Sequence, residues 1–129
     1  MPVNGYVTEG MGRREDPFNS AVKDYFHTGV DISAPYGSRI VAPADGTVIF
    51  AGPREGYGNI VVIDHRFGIT TRYGHLYKFN VQVGQHVSRH DIIGYVGTSG
   101  RSTGPHLHFE IWFNDRPINP VKYIRPRTG

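Results

Sequence analysis

Two histidines stand two positions apart in the segment GPHLHFEI, residues 104–111. Apolar and polar residues alternate strictly here, which predicts a β-strand with its apolar side chains on one face and His106, His108 and Glu110 on the other. Neighbouring imidazoles on a rigid strand suit two metal ligands, or one ligand beside a proton-transfer group. A solvent-facing polar edge is the alternative that this segment alone leaves open.

A second candidate pair is His27 and Asp31, in the segment HTGVD. Gly29 and the following residues 32–35 favour an extended or turn conformation over a helix, and even spacing puts both side chains on one face of an extended chain. Imidazole nitrogen and carboxylate oxygen are both normal zinc ligands. Taken alone, local hydrogen bonding at a loop end is the simpler interpretation of this pair.

The remaining titratable candidates are weaker. His75 ends a predicted strand, where a single histidine is usually structural. Glu110 either accepts a hydrogen bond that orients an imidazole or forms a surface salt bridge. We interpret the other histidines as surface or turn residues: His65, His86 and His90.

The elements that position these residues are predicted to be strands, because the apolar residues run in short blocks broken by Gly or Pro. The predicted strands are residues 46–51, 59–65, 69–75, 86–87, 92–96 and 106–113. Residues 66–68 are predicted to form a hairpin turn with Gly68 at positive φ. The polar segment 13–26, which contains Pro17, is predicted to be an irregular loop.

An internal echo is visible in two stretches, GSRI followed by DGTV from Gly37, and GQHV followed by DIIG from Gly84. Each reads as a turn, a short strand, another turn and a longer strand. Either two related β-halves pack face to face as a sandwich or barrel, or the glycine-rich turns resemble each other by chance.

The 129 residues predict one compact domain, residues 1–129, that is large enough to bury a hydrophobic core. The 17 glycines and 9 prolines without a collagen period indicate many tight turns, and therefore an all-β fold of short strands. The absence of cysteine excludes disulfides and thiolate chemistry. No stretch is long and apolar enough for a membrane span.

The formal net charge of +3 is modest, and no aromatic-basic stacking motif is present, so we expect no nucleic-acid partner. The N-terminus lacks the basic start and apolar core of a signal peptide. If the protein is secreted, we therefore expect this chain to be a domain excised from a longer envelope protein.

Considered together, the histidine and aspartate motifs resemble the LytM or lysostaphin family of zinc endopeptidases, whose signature is H-x-x-x-D followed by a late H-x-H. The resemblance runs from about Met11 to Tyr123. It includes MGR (11–13), FHTGVD (26–31), APYG (34–37), GYGN (56–59), TRYGHL (71–76) and GRSTGPHLHFE (100–110). The departures are Met11, where an aromatic residue is common, and the turn at His90, where the family usually has glycine. His90 is therefore expected to be strained or solvent-exposed.

The resemblance implies a role for each matching position. One Zn²⁺ would be held by His27, Asp31 and His108. His75 and His106 would be the catalytic imidazoles. The fold would be two packed, mostly antiparallel sheets with long loops forming a narrow groove. Substrate contacts are expected from Arg13, Tyr73 and Thr103.

Three protein ligands leave one position for water, which is the pattern of a catalytic zinc site. Water activated by the metal would attack a peptide carbonyl, and the two histidines would assist proton transfer and oxyanion stabilisation. The expected substrates are stem or cross-link peptides of bacterial peptidoglycan, with a preference for D-Ala-containing cross-links.

Two other classes of protein share some of these features. A non-cleaving module that binds peptidoglycan or activates an amidase would not need the complete set of five residues. A biotinyl or lipoyl carrier needs an exposed Lys that residues 82–100 lack, and a phosphocarrier leaves Asp31 unexplained. The family resemblance further implies a monomeric domain in the periplasm or outside the cell, with regulation by an additional N-terminal region left open.

Overall fold

The structure, a computed structural model, describes residues 1–9, 12–14, 25–27, 29–98 and 104–122, and for residues 6, 8, 9, 12–14, 25–27 and 122 it describes the backbone path. These residues form antiparallel strands and one short 3-10 helix, Pro120–Lys122. The strands are β1 (Tyr6–Glu9), β2 (Gly12–Arg14), β3 (Tyr25–His27), β4 (Val30–Ser33), β5 (Arg39–Val41), β6 (Gly46–Arg54), β7 (Gly58–Asp64), β8 (Ile69–Gly74), β9 (Leu76–Phe79), β10 (His86–Val87), β11 (Ile92–Val96), β12 (His106–Phe113) and β13 (Arg116–Ile118).

The largest sheet has the order β1-β4-β12-β8-β7-β6-β10, and β13 pairs with one end of β12. Strand β12 therefore lies between β4 and β8. Its apolar residues Leu107, Phe109 and Ile111 are buried as the alternation predicts, but His108 and Glu110 on the other face are buried too. Both faces of this strand are covered, so its polar side chains do not form a solvent-facing edge.

A smaller sheet has the order β5-β11-β9, and β2 pairs with β3 in a two-stranded ribbon. Apolar residues of the eight-stranded sheet and of the three-stranded sheet join one buried cluster. Ile32 and Leu107 come from the eight-stranded sheet, and Ile40 and Ile93 come from the three-stranded one. The prediction of an all-β fold with two packed antiparallel sheets is confirmed. In the described part of the chain, no helix is long and apolar enough to cross a membrane.

The internal echo is a structural repeat. The short strand of each half pairs with the long strand of the other half, β5 with β11 and β10 with β6. The Gly37 N–H donates to the Val96 carbonyl at 2.7 Å. The Gly84 N–H donates to the Val48 carbonyl at 2.8 Å in the corresponding turn. Both glycines have positive φ, 82° and 91°, which explains why the two turns share this residue type.

The six predicted strands are present, with ends shifted by up to three residues. The predicted hairpin turn is also present, and all three of its residues, 66–68, have positive φ. The prediction of an irregular loop over 13–26 is wrong at both ends, because 12–14 and 25–27 pair as antiparallel strands. Each of these strands has only three residues, which is too short to show a period in the hydrophobic pattern, so the pattern could not reveal them. Residues 15–24 lie outside the described part.

Candidate metal centre and active site

Strands β4 and β12 bring Asp31 and His108 together, although 77 residues separate them in the chain. The two residues are direct partners in the antiparallel register. Their side chains meet with Nδ1 of His108 2.9 Å from Oδ1 of Asp31. Gly29 permits this approach, because a Cβ at that position would lie 2.3 Å from the Phe109 carbonyl oxygen.

The other nitrogen of His108 faces Glu110. Nε2 donates to Oε2 of Glu110 at 2.7 Å, and Glu110 is fully buried. Of the two interpretations of Glu110, the surface salt bridge is wrong, and the carboxylate that orients an imidazole agrees with the structure. Burial alone would lower the pKa of His108, but its hydrogen bonds with the Asp31 and Glu110 carboxylates raise that pKa to about 9.

His75 and His106 stand beside this group. Their ring centroids are 5.1 Å apart, and the His75 ring lies 6.0 Å from that of His108. His106 comes from the first residue of β12, whereas His75 occupies the one-residue connection between β8 and β9. His75 has φ of 64°, a conformation that a non-glycine residue holds only where its surroundings fix it.

The backbone of His75 is fixed from two sides. Its N–H donates to the Tyr57 carbonyl at 2.7 Å, and its carbonyl accepts from the Gly97 N–H at 3.1 Å. The Gly97 carbonyl in turn accepts from the His106 N–H at 3.3 Å, so Gly97 links both catalytic candidates. A Cβ on Gly97 would lie 2.5 Å from the Tyr77 nitrogen, so the close approach of these backbones requires glycine.

The two imidazoles differ in their hydrogen bonding. Nδ1 of His106 lies 3.0 Å from the Gly104 carbonyl oxygen, which can only accept, so Nδ1 carries the proton and the neutral ring has its lone pair on Nε2. Nδ1 of His75 is buried and has no hydrogen-bond partner among the described residues. Burial, reinforced by the rings of His106 and His108, lowers the pKa of His75 to about 4, so this ring is neutral near pH 7.

The remaining predicted site residues fall into two groups. The backbones of His27 and Arg13 lie in the β2–β3 ribbon, opposite Gly12 and Phe26, but their side chains lie outside the described part, as does all of Thr103. The prediction that Tyr73 contacts substrate is wrong. Its side chain is fully buried in the core, with its hydroxyl 2.6 Å from Oγ1 of Thr71.

The other histidines with described side chains are exposed or half-buried. His86 and His90 are exposed as predicted, and His90 has φ of 76°, so the strained turn expected there is present. His65 is half-buried rather than a simple surface residue. Its Nδ1 lies 2.9 Å from the Asp45 carbonyl oxygen and its Nε2 lies 2.7 Å from Oγ1 of Thr71, which gives it a structural role.

The donor set at Asp31 and His108 fits zinc. An imidazole nitrogen and a carboxylate oxygen point at one another, and the second imidazole nitrogen is held by a buried carboxylate, as is usual for metal-binding histidines. No three His, Cys, Asp or Glu residues with described side chains are grouped to hold a metal by themselves. A complete site therefore needs a further donor, and His27 is the candidate that the sequence supplies.

Several residues around this site were not assigned roles from the sequence. Tyr57, Arg72 and Trp112 surround Glu110, and Gly97 links the two imidazoles. Only Gly97 left a signal in the sequence: a glycine directly after the predicted strand 92–96 indicates a close approach of two backbones. The contacts of Tyr57 and Arg72 depend on strand pairing and left no signal in the local pattern.

Comparisons with known proteins agree with this arrangement. The profile of Peptidase family M23 matches residues 25–120. The DD-carboxypeptidase/endopeptidase Mpg of Neisseria meningitidis is 48% identical over 100 residues, which cover 78% of this chain and 23% of Mpg. The murein hydrolase activator NlpD of Salmonella dublin is 34% identical over 127 residues, which cover 98% of this chain and 31% of NlpD. The chain thus spans about a quarter to a third of these relatives.

Solved structures share the fold. A zinc-containing peptidase from Vibrio cholerae superposes with a TM-score of 0.84 at 35% identity, over 98% of this chain and 41% of that one. The catalytic domain of lysostaphin from Staphylococcus simulans superposes with a TM-score of 0.78 at 31% identity, over 93% of this chain and 92% of that domain.

The fold and the paired histidine strand define a peptidase domain of the LytM and lysostaphin type. The chain belongs to peptidase family M23.

Proposed function

We propose that this chain is a zinc-dependent endopeptidase that hydrolyses peptide bonds in the stem or cross-link peptides of bacterial peptidoglycan. The observation that carries the proposal is the 2.9 Å approach of Asp31 to His108 with the rings of His75 and His106 beside them. Relatives named as DD-endopeptidases support D-Ala-containing cross-links as the substrate class.

In this proposal, His27, Asp31 and His108 hold one Zn²⁺. When bound, zinc supplies a Lewis acid that lowers the pKa of water and polarises a carbonyl group. His108 can serve as a ligand through Nδ1 because its Nε2 proton is donated to Glu110. Asp31 supplies negative charge on the same side of the ring.

His106 acts as the general base. Because its Nδ1 proton is donated to Gly104, the lone pair on Nε2 accepts a proton from the attacking water as the new carbon–oxygen bond forms. The protonated ring then delivers this proton to the leaving amine as the carbon–nitrogen bond breaks. His75 donates a hydrogen bond to the carbonyl oxygen as negative charge develops there.

A turbidity assay with purified peptidoglycan tests this function. We expect the zinc-loaded chain alone to clear the suspension. Clearing should stop when a chelator removes zinc and resume when zinc is added back. Mass spectrometry of the released fragments identifies the bond that is cut. Absence of clearing by zinc-loaded protein would refute the proposal.

The alternative function is a module that binds peptidoglycan or activates another hydrolase without cutting, as the resemblance to NlpD suggests. A module of this kind has no need for His75 and His106 beside the metal ligands, which favours the hydrolase. In the same assay, an activator would clear peptidoglycan only when an amidase is present.

We further propose that residues 1–129 act as one peptidase domain, monomeric and located in the periplasm or outside the cell. Two of the relatives, a peptidoglycan DD-endopeptidase and a murein hydrolase activator, are named for action on peptidoglycan, which lies in that compartment.

A further inference from the structure

Glu110 is a fully buried carboxylate whose two oxygens are held by side chains from two strands, β12 and β8, and one turn. Besides His108, Oε1 accepts from Nε1 of Trp112 at 2.7 Å, and both oxygens lie 3.1 Å from the hydroxyl of Tyr57. Nε of Arg72 lies 4.0 Å from Oε1. A buried carboxylate is costly unless it is paired and hydrogen-bonded, so these contacts offset the cost of burying Glu110 and fix its position.

Arg72 and Trp112 support each other. The Arg72 guanidinium lies 4.2 Å from the centroid of the Trp112 ring, and its Nη1 lies 3.4 Å from the Tyr57 hydroxyl. Stacking on the indole places the positive charge beside Glu110 while the indole N–H donates to the same carboxylate. The two side chains therefore limit the positions that the Glu110 oxygens can take.

Tyr57 connects this carboxylate with the catalytic candidates. Its hydroxyl donates to Glu110, its ring centroid lies 6.0 Å from that of His108, and its carbonyl accepts from the His75 N–H at 2.7 Å. Gly56 and Gly58 on either side have φ of 85° and 67°, which gives the turn the shape that presents both groups. One residue thus contacts both the proposed ligand and the neighbouring imidazole.

We propose that Glu110, held by Tyr57, Arg72 and Trp112, is a positioning residue that fixes the tautomer and orientation of His108. The hydrogen bond from Nε2 to Glu110 keeps a proton on that nitrogen and turns Nδ1 toward Asp31, so Nδ1 is the nitrogen that would bind a cation. Without this acceptor, the proton can occupy Nδ1 instead, and the ring cannot then bind a cation on that side. This inference rests on the proposed metal site.

Zinc affinity, measured by competition with a chromogenic chelator, tests the inference without reference to hydrolysis. Glu110→Leu removes the acceptor, and we expect affinity to fall by roughly 10–100-fold. Glu110→Gln keeps an oxygen that can accept from Nε2, so its loss should be smaller. Tyr57→Phe removes one hydrogen bond to Glu110 and should weaken zinc binding by a few-fold. The matched control is Tyr73→Phe, which removes a buried tyrosine hydroxyl away from Glu110 and should leave zinc affinity unchanged.

A second readout separates positioning from mere support of the fold. In the zinc-loaded wild-type protein, the His108 Nε2 proton should give a slowly exchanging, downfield NMR signal, and long-range ¹H–¹⁵N correlations should show Nδ1 as the metal-binding nitrogen. In Glu110→Leu, the protected proton signal should disappear. Glu110→Gln should restore it in part.

The outcomes distinguish this inference from the proposed function. If Glu110→Leu binds zinc as tightly as the wild-type protein does, and its His108 proton is still protected from exchange, the positioning role is overturned while the metal site stands. No zinc binding by the wild-type protein overturns both. If zinc affinity falls in Glu110→Gln and falls further in Glu110→Leu, the positioning role is supported, whatever the turbidity assay shows.

Discussion

Replacing His108 and His106 separately by alanine should produce two different defects, although both residues lie on β12. His108→Ala removes a proposed ligand, so we expect loss of zinc together with loss of hydrolysis. His106→Ala removes the proposed base, so zinc should remain while hydrolysis falls by roughly 10²–10⁴-fold. The contrast tests the assignment of the two imidazoles directly.

The stability of the metal-free variants should differ as well. With its pKa raised to about 9, His108 is charged at pH 7 and pairs with Asp31 and Glu110 at 2.9 and 2.7 Å. Removing one partner of a buried ion pair costs about 3–5 kcal/mol. Glu110 keeps its contacts with Tyr57, Arg72 and Trp112, so the lower end applies, about 3 kcal/mol.

His106→Ala should cost less stability. The side chain is half-buried, and its Nδ1 hydrogen bond goes to a neutral backbone carbonyl, so the expected loss is about 1 kcal/mol. The control variant is His86→Ala. That histidine is exposed and bonds to Thr47, so its replacement should change stability by no more than about 0.5 kcal/mol.

Three measurements on the same preparations check these expectations. Metal analysis after dialysis gives the zinc content, urea unfolding of chelator-treated protein gives the free energy of unfolding, and the turbidity assay gives hydrolysis. Equal zinc loss in His106→Ala and His108→Ala would refute the assignment. Unchanged stability of metal-free His108→Ala would show that the Asp31–His108–Glu110 contacts do not support the fold.

Two further predictions concern the core around the site. Gly29→Ala should destabilise the protein by about 1–3 kcal/mol in urea unfolding, because its Cβ would meet the Phe109 carbonyl oxygen at 2.3 Å. In the control variant Gly52→Ala, the Cβ would have ordinary contacts near 4.0 Å, so the change should be neutral or slightly stabilising. Equal effects of the two substitutions on stability would contradict this reasoning. Burial raises the pKa of Tyr73 far above its usual value near 10, so above that pH the unfolded chain loses a proton that the folded chain keeps, and stability should fall by about 1.4 kcal/mol per pH unit. Tyr73→Phe should remove that part of the slope in alkaline unfolding titrations, and an identical slope in the variant would show that Tyr73 does not titrate differently in the two states.

Much of the local structure could be predicted from the sequence. Strict alternation in 104–111 predicts a strand here, and the predicted bounds 106–113 match β12, because period-two alternation reports which side chains share a face. The glycine-rich turns at Gly37 and Gly84 indicate positive φ, which is a property of the local backbone, but only the strand pairings show that the two stretches form a repeat. Tyr73 shows the limit of this reasoning. Its place in the motif predicted a substrate contact, but the ring is fully buried, and residue type alone does not report burial.

The sequence by itself determined the candidate residues, their faces on the strands and, through the order and spacing of the motifs, the family. Only the tertiary structure decided that Asp31 and His108 are cross-strand partners, because strand register is set by packing between segments far apart in the chain. It also decided between the two interpretations of Glu110. Alternation assigns a side chain to a face, but whether that face meets water or is covered by Tyr57 and Trp112 depends on which strands and turns fold over it.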